Sequence, residues 1–342
     1  MTEKNYYAID IMKFIAALFV IYMHISPLKH INDNLDYTLF SISRIAVPFF
    51  FITSGYLFSE KVKKNQENEQ VLCNYLKRIF ILYLAWSILM LPLSIRDLRN
   101  QGVIKGILIY LRNFIFDGSY AQLWYYPSLI LGILLVFYFS KKISIKKILL
   151  ISTVLYIIGL FGNSYYILVS NNSEIVYILS KYYYIFATTR NGFFYAFLFV
   201  SIGLFLSRYK SNISKSTNVL LLFISIILLI IESFKLKNNG APRIFDTCIM
   251  LIPTGYLLVN LLINIEIPKR SIYKFFRNSS VIIFGVHHML IRAFSYLLCK
   301  LGFTCGKPIV VFILTVIVAI LFSIIVLRLE NKKNIKVLRY LH

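Results

Sequence analysis

Charge is scarce in this chain. Of its 342 residues only 15% are charged, and 14 acidic residues stand against 37 Lys+Arg. Soluble domains carry about 25% charged and about 45–50% apolar residues. This chain is 58% hydrophobic and 16% aromatic, with a mean hydropathy of +0.72. That deficit excludes a soluble enzyme, which could not hide so much apolar surface, and for the same reason it excludes disorder or a fibrous repeat. Cysteine is sparse too: Cys73, Cys248, Cys299 and Cys305 show no metal-ligand spacing, so no metal site is expected. Cys299 and Cys305 fit a pair across an outer loop or, as the preferred reading, two free thiols. Internal repeats, low-complexity linkers and a stretch able to fold as a second domain are all missing. No cleavage site follows the first apolar run, which continues into Ser26-Pro27 and is expected to be retained.

What the chain has is long apolar runs. A crossing needs about 20 mostly apolar residues. By that measure the chain reads as an all-α, polytopic membrane bundle of about ten transmembrane helices, over 8–28, 38–59, 79–95, 122–140, 148–169, 190–207, 217–234, 244–263, 279–299 and 308–328. The stretch 98–116, with Arg99, Lys105 and Arg112 among Ile and Leu, reads as an interfacial amphipathic helix. A short basic tail, 329–342, follows, and the whole of 1–342 forms one membrane domain. The net charge of +23 does not mark a nucleic-acid binder, because the basic residues fall in short clusters between apolar runs rather than on a soluble module. With the N-terminus cytoplasmic, they lie on the inner side about twice as often as on the outer, which places both termini inside.

Ionisable residues inside apolar runs are costly and mark function by default. In the first run Asp10, Lys13 and His24 share a face. An eleven-residue step returns to within about 20° and rises about 16 Å, so Lys13 lies near the inner end and His24 near the outer third. Ala16 and Ala17 between them permit close approach. Arg44 enters the second run at a depth close to that of His24, and Pro48 frees a backbone carbonyl one turn earlier. Arg190, Glu232, Asp246 and Trp124-Tyr125-Tyr126 sit at outer ends, while His287 and His288 lie mid-membrane below Arg292. Together they describe a hydrophilic chamber opening outward. Each has a plainer alternative. Lys13 snorkels and pairs with Asp10; Arg44 and Arg190 anchor the interface; Glu232 and Asp246 are solvated; only one of His287 and His288 faces inward; the aromatic triplet is an interfacial belt.

Asp10-x-x-Lys13 followed by His24 at the head of such a chain resembles the membrane acyltransferase-3 family. There an Arg and a His with ten residues between them mark the first span. The stretch Arg44-Ile45-Ala46-Val47-Pro48-Phe49-Phe50-Phe51-Ile52-Thr53-Ser54-Gly55 is similar to that family's R-x-x-VPFFF-x-x-SG element. Tyr75-Leu76-Lys77-Arg78, Leu123-Trp124-Tyr125, Thr189-Arg190-Asn191-Gly192 and Gly285-Val286-His287-His288 follow the family's order. Position 13 is Lys where the family has Arg, and no second Arg follows Lys77-Arg78 within a turn.

The resemblance implies transfer of an acyl group, acetyl most often, from cytoplasmic acyl-CoA to a hydroxyl of an extracytoplasmic glycan or related envelope acceptor. Acetyl-CoA is then a co-substrate, and no bound cofactor is implied. Catalysis falls to His24 with Asp10 and Lys13, and the CoA contacts to Lys13, Lys77 and Arg78. The acceptor contacts fall to Arg44, Ser54, Trp124, Arg190, His287 and His288. A bacterial cytoplasmic membrane is the expected location, membrane lipid and the two substrates the partners, and a homodimer one open assembly. The membrane half of vancomycin-resistance serine racemases resembles the same family, which leaves serine uptake as the alternative.

Overall fold

The computed structural model describes residues 5–65, 69–240, 247–303, 307–330 and 335–342. Lys4, Asp246, Cys305, Arg243, Lys332 and Lys333 lie outside the described residues. The described chain is helical, with no strand among its residues. In chain order the α-helices are α1 (Tyr7–Ile25), α2 (Asp33–Ser43), α3 (Ala46–Lys64), α4 (Glu69–Leu98), α5 (Val103–Phe116), α6 (Tyr125–Ser140) and α7 (Ile145–Phe161). They continue as α8 (Ser173–Ile185), α9 (Phe197–Arg208), α10 (Lys215–Asn238), α11 (Leu251–Ile263), α12 (Ile272–Lys300) and α13 (Pro308–Glu330).

Helix starts follow their local sequence. Side-chain oxygens of Asn32, Ser144, Asn172 and Ser214 accept a backbone N–H from the first turn of α2, α7, α8 and α10, satisfying donors that have no intrahelical partner. The run 38–59 is not one rod: the chain turns at Arg44-Ile45, and α3 starts at Ala46. Pro48 therefore lies in the first turn of α3, where a missing N–H costs nothing, instead of interrupting a helix.

Seven helical stretches among the described residues are long and apolar enough to cross a membrane: Tyr7–Ile25, Asp33–Lys64, Glu69–Gln101, Ala121–Ser140, Lys215–Asn238, Ile272–Lys300 and Pro308–Glu330. The protein is thus a multi-pass helical membrane protein. The runs at 148–169, 190–207 and 244–263 correspond to shorter helices. α7 has 17 residues and stops at Gly162, Gly192–Arg208 opens with a π-helical turn at 192–196, and α11 has 13.

The helices gather into two compact units, Met1–Val47 with Leu261–His342, and Pro48–Asn260. In the first unit α1 packs on α12 and α13. Tyr7 meets Tyr273 at 5.1 Å between ring centroids and Phe14 meets Phe276 at 5.0 Å, so α1 and α12 run parallel. α1 ends at Ser26, whose φ of 49° is left-handed. Beyond it, the fully buried Asp36 accepts hydrogen bonds from the Tyr22 hydroxyl and the Leu28 N–H, both at 2.9 Å, fixing the turn into α2.

In the second unit α3 and α9 pack backbone against backbone. A Cβ on Gly203 would collide with the Ile52 carbonyl oxygen, and one on Gly55 would stand 2.5 Å from that of Val200. The segment after α5 is tied to α4 by hydroxyls. Tyr83 donates to the Phe114 carbonyl (2.7 Å) and accepts from Ser119 N–H (2.9 Å), while Ser87 and Ser119 hydroxyls meet at 2.7 Å. This network and the left-handed Gly118 (φ 88°) deliver the chain to Trp124.

Candidate functional site

Three imidazoles meet in the first unit. His24, near the C-terminal end of α1, stacks on His287 with ring centroids 5.2 Å apart and meets His288 edge-on at 4.2 Å. His287 and His288 are 4.9 Å apart. His24 is exposed, His287 fully buried and His288 between the two. The His287 Nδ1 lies 2.7 Å from the Phe284 carbonyl, which can only accept, so Nδ1 carries the proton and Nε2 its lone pair. That Nε2 is buried and has no hydrogen-bond partner among the described residues. Both members of the His-His pair, and not one, therefore bear on His24.

At the other end of α1 the Asp10 carboxylate lies between Lys13 Nζ (4.0 Å) and the Arg277 guanidinium of α12 (3.7 Å). Asp10 is buried, Lys13 half-buried and Arg277 more open. Asp10 and Lys13 do not reach His24, since fourteen residues of continuous helix part Asp10 from it by about 21 Å. Arg277 stands near the start of α12, where nothing in the adjacent sequence singles it out. Yet Arg277 precedes His288 by the same eleven residues that part Lys13 from His24. With α1 and α12 parallel, cation lies beside cation and imidazole beside imidazole, which is the signal that spacing alone offered.

Arg44 closes α2. It is 3% exposed, with its guanidinium 4.8 Å from the centroid of the Phe40 ring, so it is a buried cation rather than an interfacial anchor.

The second unit brings together three more of the expected residues. The Arg190 guanidinium lies 4.3 Å over the Trp124 ring, and Trp124 packs edge-on against Tyr195 at 5.7 Å. Phe51 bridges to Trp124 and Tyr125 at 5.9 and 4.6 Å, and the Tyr125 and Ser54 hydroxyls are 3.2 Å apart. Trp124 and Tyr126 are buried, which removes the interfacial-belt alternative for them. Arg190 is set by its neighbour Asn191, whose side chain accepts from Phe193 and Phe194 N–H and caps the π-helical turn. Asp117, unremarked in the sequence, accepts from Ala187 N–H at 2.9 Å. Its carboxyl is pushed up by burial, partly offset by that hydrogen bond and by Arg112 and Arg190.

Lys77 and Arg78 are exposed on α4. Glu232 has a structural role: its carboxylate accepts from Ile249 and Met250 N–H (2.6 and 2.8 Å) and from the Tyr165 hydroxyl, holding the entry to α11.

Residues 6–328 match the family described as "Acyltransferase domain", which is nearly the whole chain. The chain belongs to that membrane acyltransferase-3 family. It is 30% identical over 335 residues to an "Amino-acid racemase" of Enterococcus faecalis, covering 96% of this chain and 47% of that protein. It is also 31% identical over 248 residues to a "Serine/alanine racemase" of Enterococcus gallinarum, covering 72% and 35%. The chain thus spans less than half the length of these curated relatives. No solved structure matches it.

Proposed function

We propose that this chain is a membrane O-acyltransferase that carries an acyl group, acetyl in the first instance, from cytoplasmic acyl-CoA to a hydroxyl of an extracytoplasmic envelope saccharide or related acceptor. The observation that supports it is the exposed His24 imidazole, backed by His287 and His288, on a helix whose far end carries the Asp10–Lys13–Arg277 cluster. A neutral His24 takes the acceptor's hydroxyl proton as the oxygen attacks the thioester carbonyl. The C–O bond forms, the C–S bond breaks with its electron pair on sulfur, and the proton on His24 returns to the thiolate. The length of α1 between the cluster and His24 is comparable with an extended pantetheine arm. Lys13 and Arg277 then lie on the CoA side, and the exposed Lys77 and Arg78 are assigned to its phosphates.

In this reading the three shorter helices, α7, Gly192–Arg208 and α11, complete ten crossings. Both termini lie in the cytoplasm of a bacterium, and α5 lies in the interface. Arg44, Ser54, Trp124, Arg190, His287 and His288 are assigned to the acceptor. The test is transfer or hydrolysis of radiolabelled acetyl-CoA by purified protein in proteoliposomes. Label leaves CoA with wild type and stays with His24→Ala; equal loss from both would sink the assignment.

A second reading has one observation in its favour: the relatives are named amino-acid and serine/alanine racemases, and the chain matches under half of each. An amino-acid carrier in the membrane portion would suit such proteins. Intact acetyl-CoA together with uptake of labelled serine into the same proteoliposomes would select it.

A further inference from the structure

We propose that His24, His287 and His288 form a binding site for a divalent transition-metal ion such as Zn2+, and that the ion and the acyl-transfer role of His24 exclude one another. The first clause stands on geometry alone; the second rests on the proposed function.

The three ligand nitrogens, one from each ring, lie within 4.8 Å of one another. Tetrahedral zinc with Zn–N of about 2.0–2.1 Å sets its nitrogens about 3.4 Å apart, so side-chain rotation of little more than an ångström closes the set. His287 already has the form of a metal ligand. Its Nδ1–H donates to the Phe284 carbonyl, which holds the ring orientation and directs the Nε2 lone pair away from that bond. That Nε2 belongs to a fully buried side chain and meets no donor among the described residues. A buried acceptor left so is costly unless something fills its place. Imidazole nitrogens select Zn2+, Cu2+ or Ni2+ over Mg2+ or Ca2+, which prefer oxygen. The exposure of His24 gives an ion its entry and leaves a fourth position for water or an anion. Arg292 lies within electrostatic reach of His288 and opposes a bare dication, so an anionic fourth ligand such as hydroxide or chloride is favoured. A lone pair bound to metal cannot accept a proton, hence the exclusion. The site departs from the absence of metal expected from cysteine spacing, because its ligands come from two helices far apart in the chain.

The experiment uses the full chain in detergent, bearing no polyhistidine tag, titrated calorimetrically with ZnCl2, with Co2+ as a spectroscopic probe. The expected result is one Zn2+ per chain, a Co2+ ligand-field spectrum of nitrogen–oxygen coordination, and affinity at least ~10-fold weaker in His24→Ala and His287→Ala. His30→Ala, a histidine exposed outside the cluster, should leave affinity unchanged. His24 is exposed, so its replacement tests the site without disturbing packing even where His287→Ala fails to fold. Binding that is absent, or equal in wild type and His24→Ala, overturns the site. In a parallel transfer assay, Zn2+ at saturation should stop wild-type turnover and a chelator should restore it. Bound Zn2+ that leaves turnover intact overturns the exclusion and, with it, the base role of His24, while the metal site stands. Absence of turnover without metal strikes the proposed function and leaves the calorimetric result unaffected.

Discussion

The two units place cations inside a membrane protein by different means. Along α1 and α12 of the first unit, Lys13 and Arg277 share a carboxylate, Asp10, and the imidazoles gather at the other end. In the second unit the Arg190 guanidinium lies flat over Trp124, within a cluster of Phe51, Tyr125 and Tyr195. A carboxylate neutralises charge but ties it to one partner. An aromatic face supplies a quadrupole in place of a full counter-charge, and the Asp117 carboxyl acts on the same guanidinium only through space. Under the proposed function the first arrangement serves proton transfer and the charged donor, and the second serves the acceptor.

Substitutions can break that comparison at graded cost. The largest effect is expected from His24→Ala, which should lower acyl transfer by ~10²–10⁴-fold while thermal melting in detergent stays as in wild type. Retained turnover would remove the chemistry from the first unit. Next comes Gly203→Val, for which backbone sits where the side chain must go. A loss of about 3 kcal/mol or more is expected, read as a lowered melting midpoint or no folded protein on size exclusion. Lys13→Ala should raise the KM for acyl-CoA about tenfold, with Lys13→Arg recovering most of it, since the longer cation still pairs with Asp10. Equal KM in both variants would refute the donor-side role.

Arg190→Lys should weaken acceptor binding by about 1 kcal/mol through loss of the planar contact with Trp124, measured as a several-fold rise in acceptor KM. Arg190→Lys matching wild type would mean that only charge matters there.

The smallest effect concerns Asp117. Its carboxyl is raised on folding, so the folded chain holds more protons there than the unfolded chain, and this group's contribution to stability falls as pH rises. Asp117→Asn keeps an oxygen for the Ala187 N–H but removes the buried charge. Its melting temperature should gain on wild type from acid to neutral pH, and a gap independent of pH would contradict that.

Much of the helical pattern was open to reading from hydropathy. The runs at 8–28, 79–95, 122–140, 217–234, 279–299 and 308–328 each overlap a helix long enough to cross. The break at Arg44-Ile45 was not, because hydropathy averages over a turn that leaves the apolar run intact. The short lengths of α9 and α11 escaped for a related reason: the π-helical Phe193-Phe194-Tyr195-Ala196 before α9, and Cys248-Ile249-Met250 before α11, prolong the apolar runs without belonging to those α-helices. Among site residues, Lys13 and His24 both belong to the continuous helix α1, within which the eleven-residue step follows from local rise and twist. Arg277 and Asp117 were missed. A basic residue near a span end and an aspartate in a loop look ordinary until a distant partner is known.

Composition alone commits this chain to the membrane and to helices, because lipid offers no partners for backbone N–H and C=O groups, and a helix satisfies them within one segment. The family resemblance, carried by short motifs on single helices, is likewise a property of the chain read in one dimension. Which segments meet is another matter. Among lipid-facing helices apolar burial barely discriminates one neighbour from another, so the choice falls to close packing and a few polar contacts. Gly55 on Gly203, Phe14 on Phe276 and Asp10 on Arg277 make that choice here. By aligning α1 with α12, the latter two bring His24 to His287 and His288, a grouping that only the tertiary structure creates.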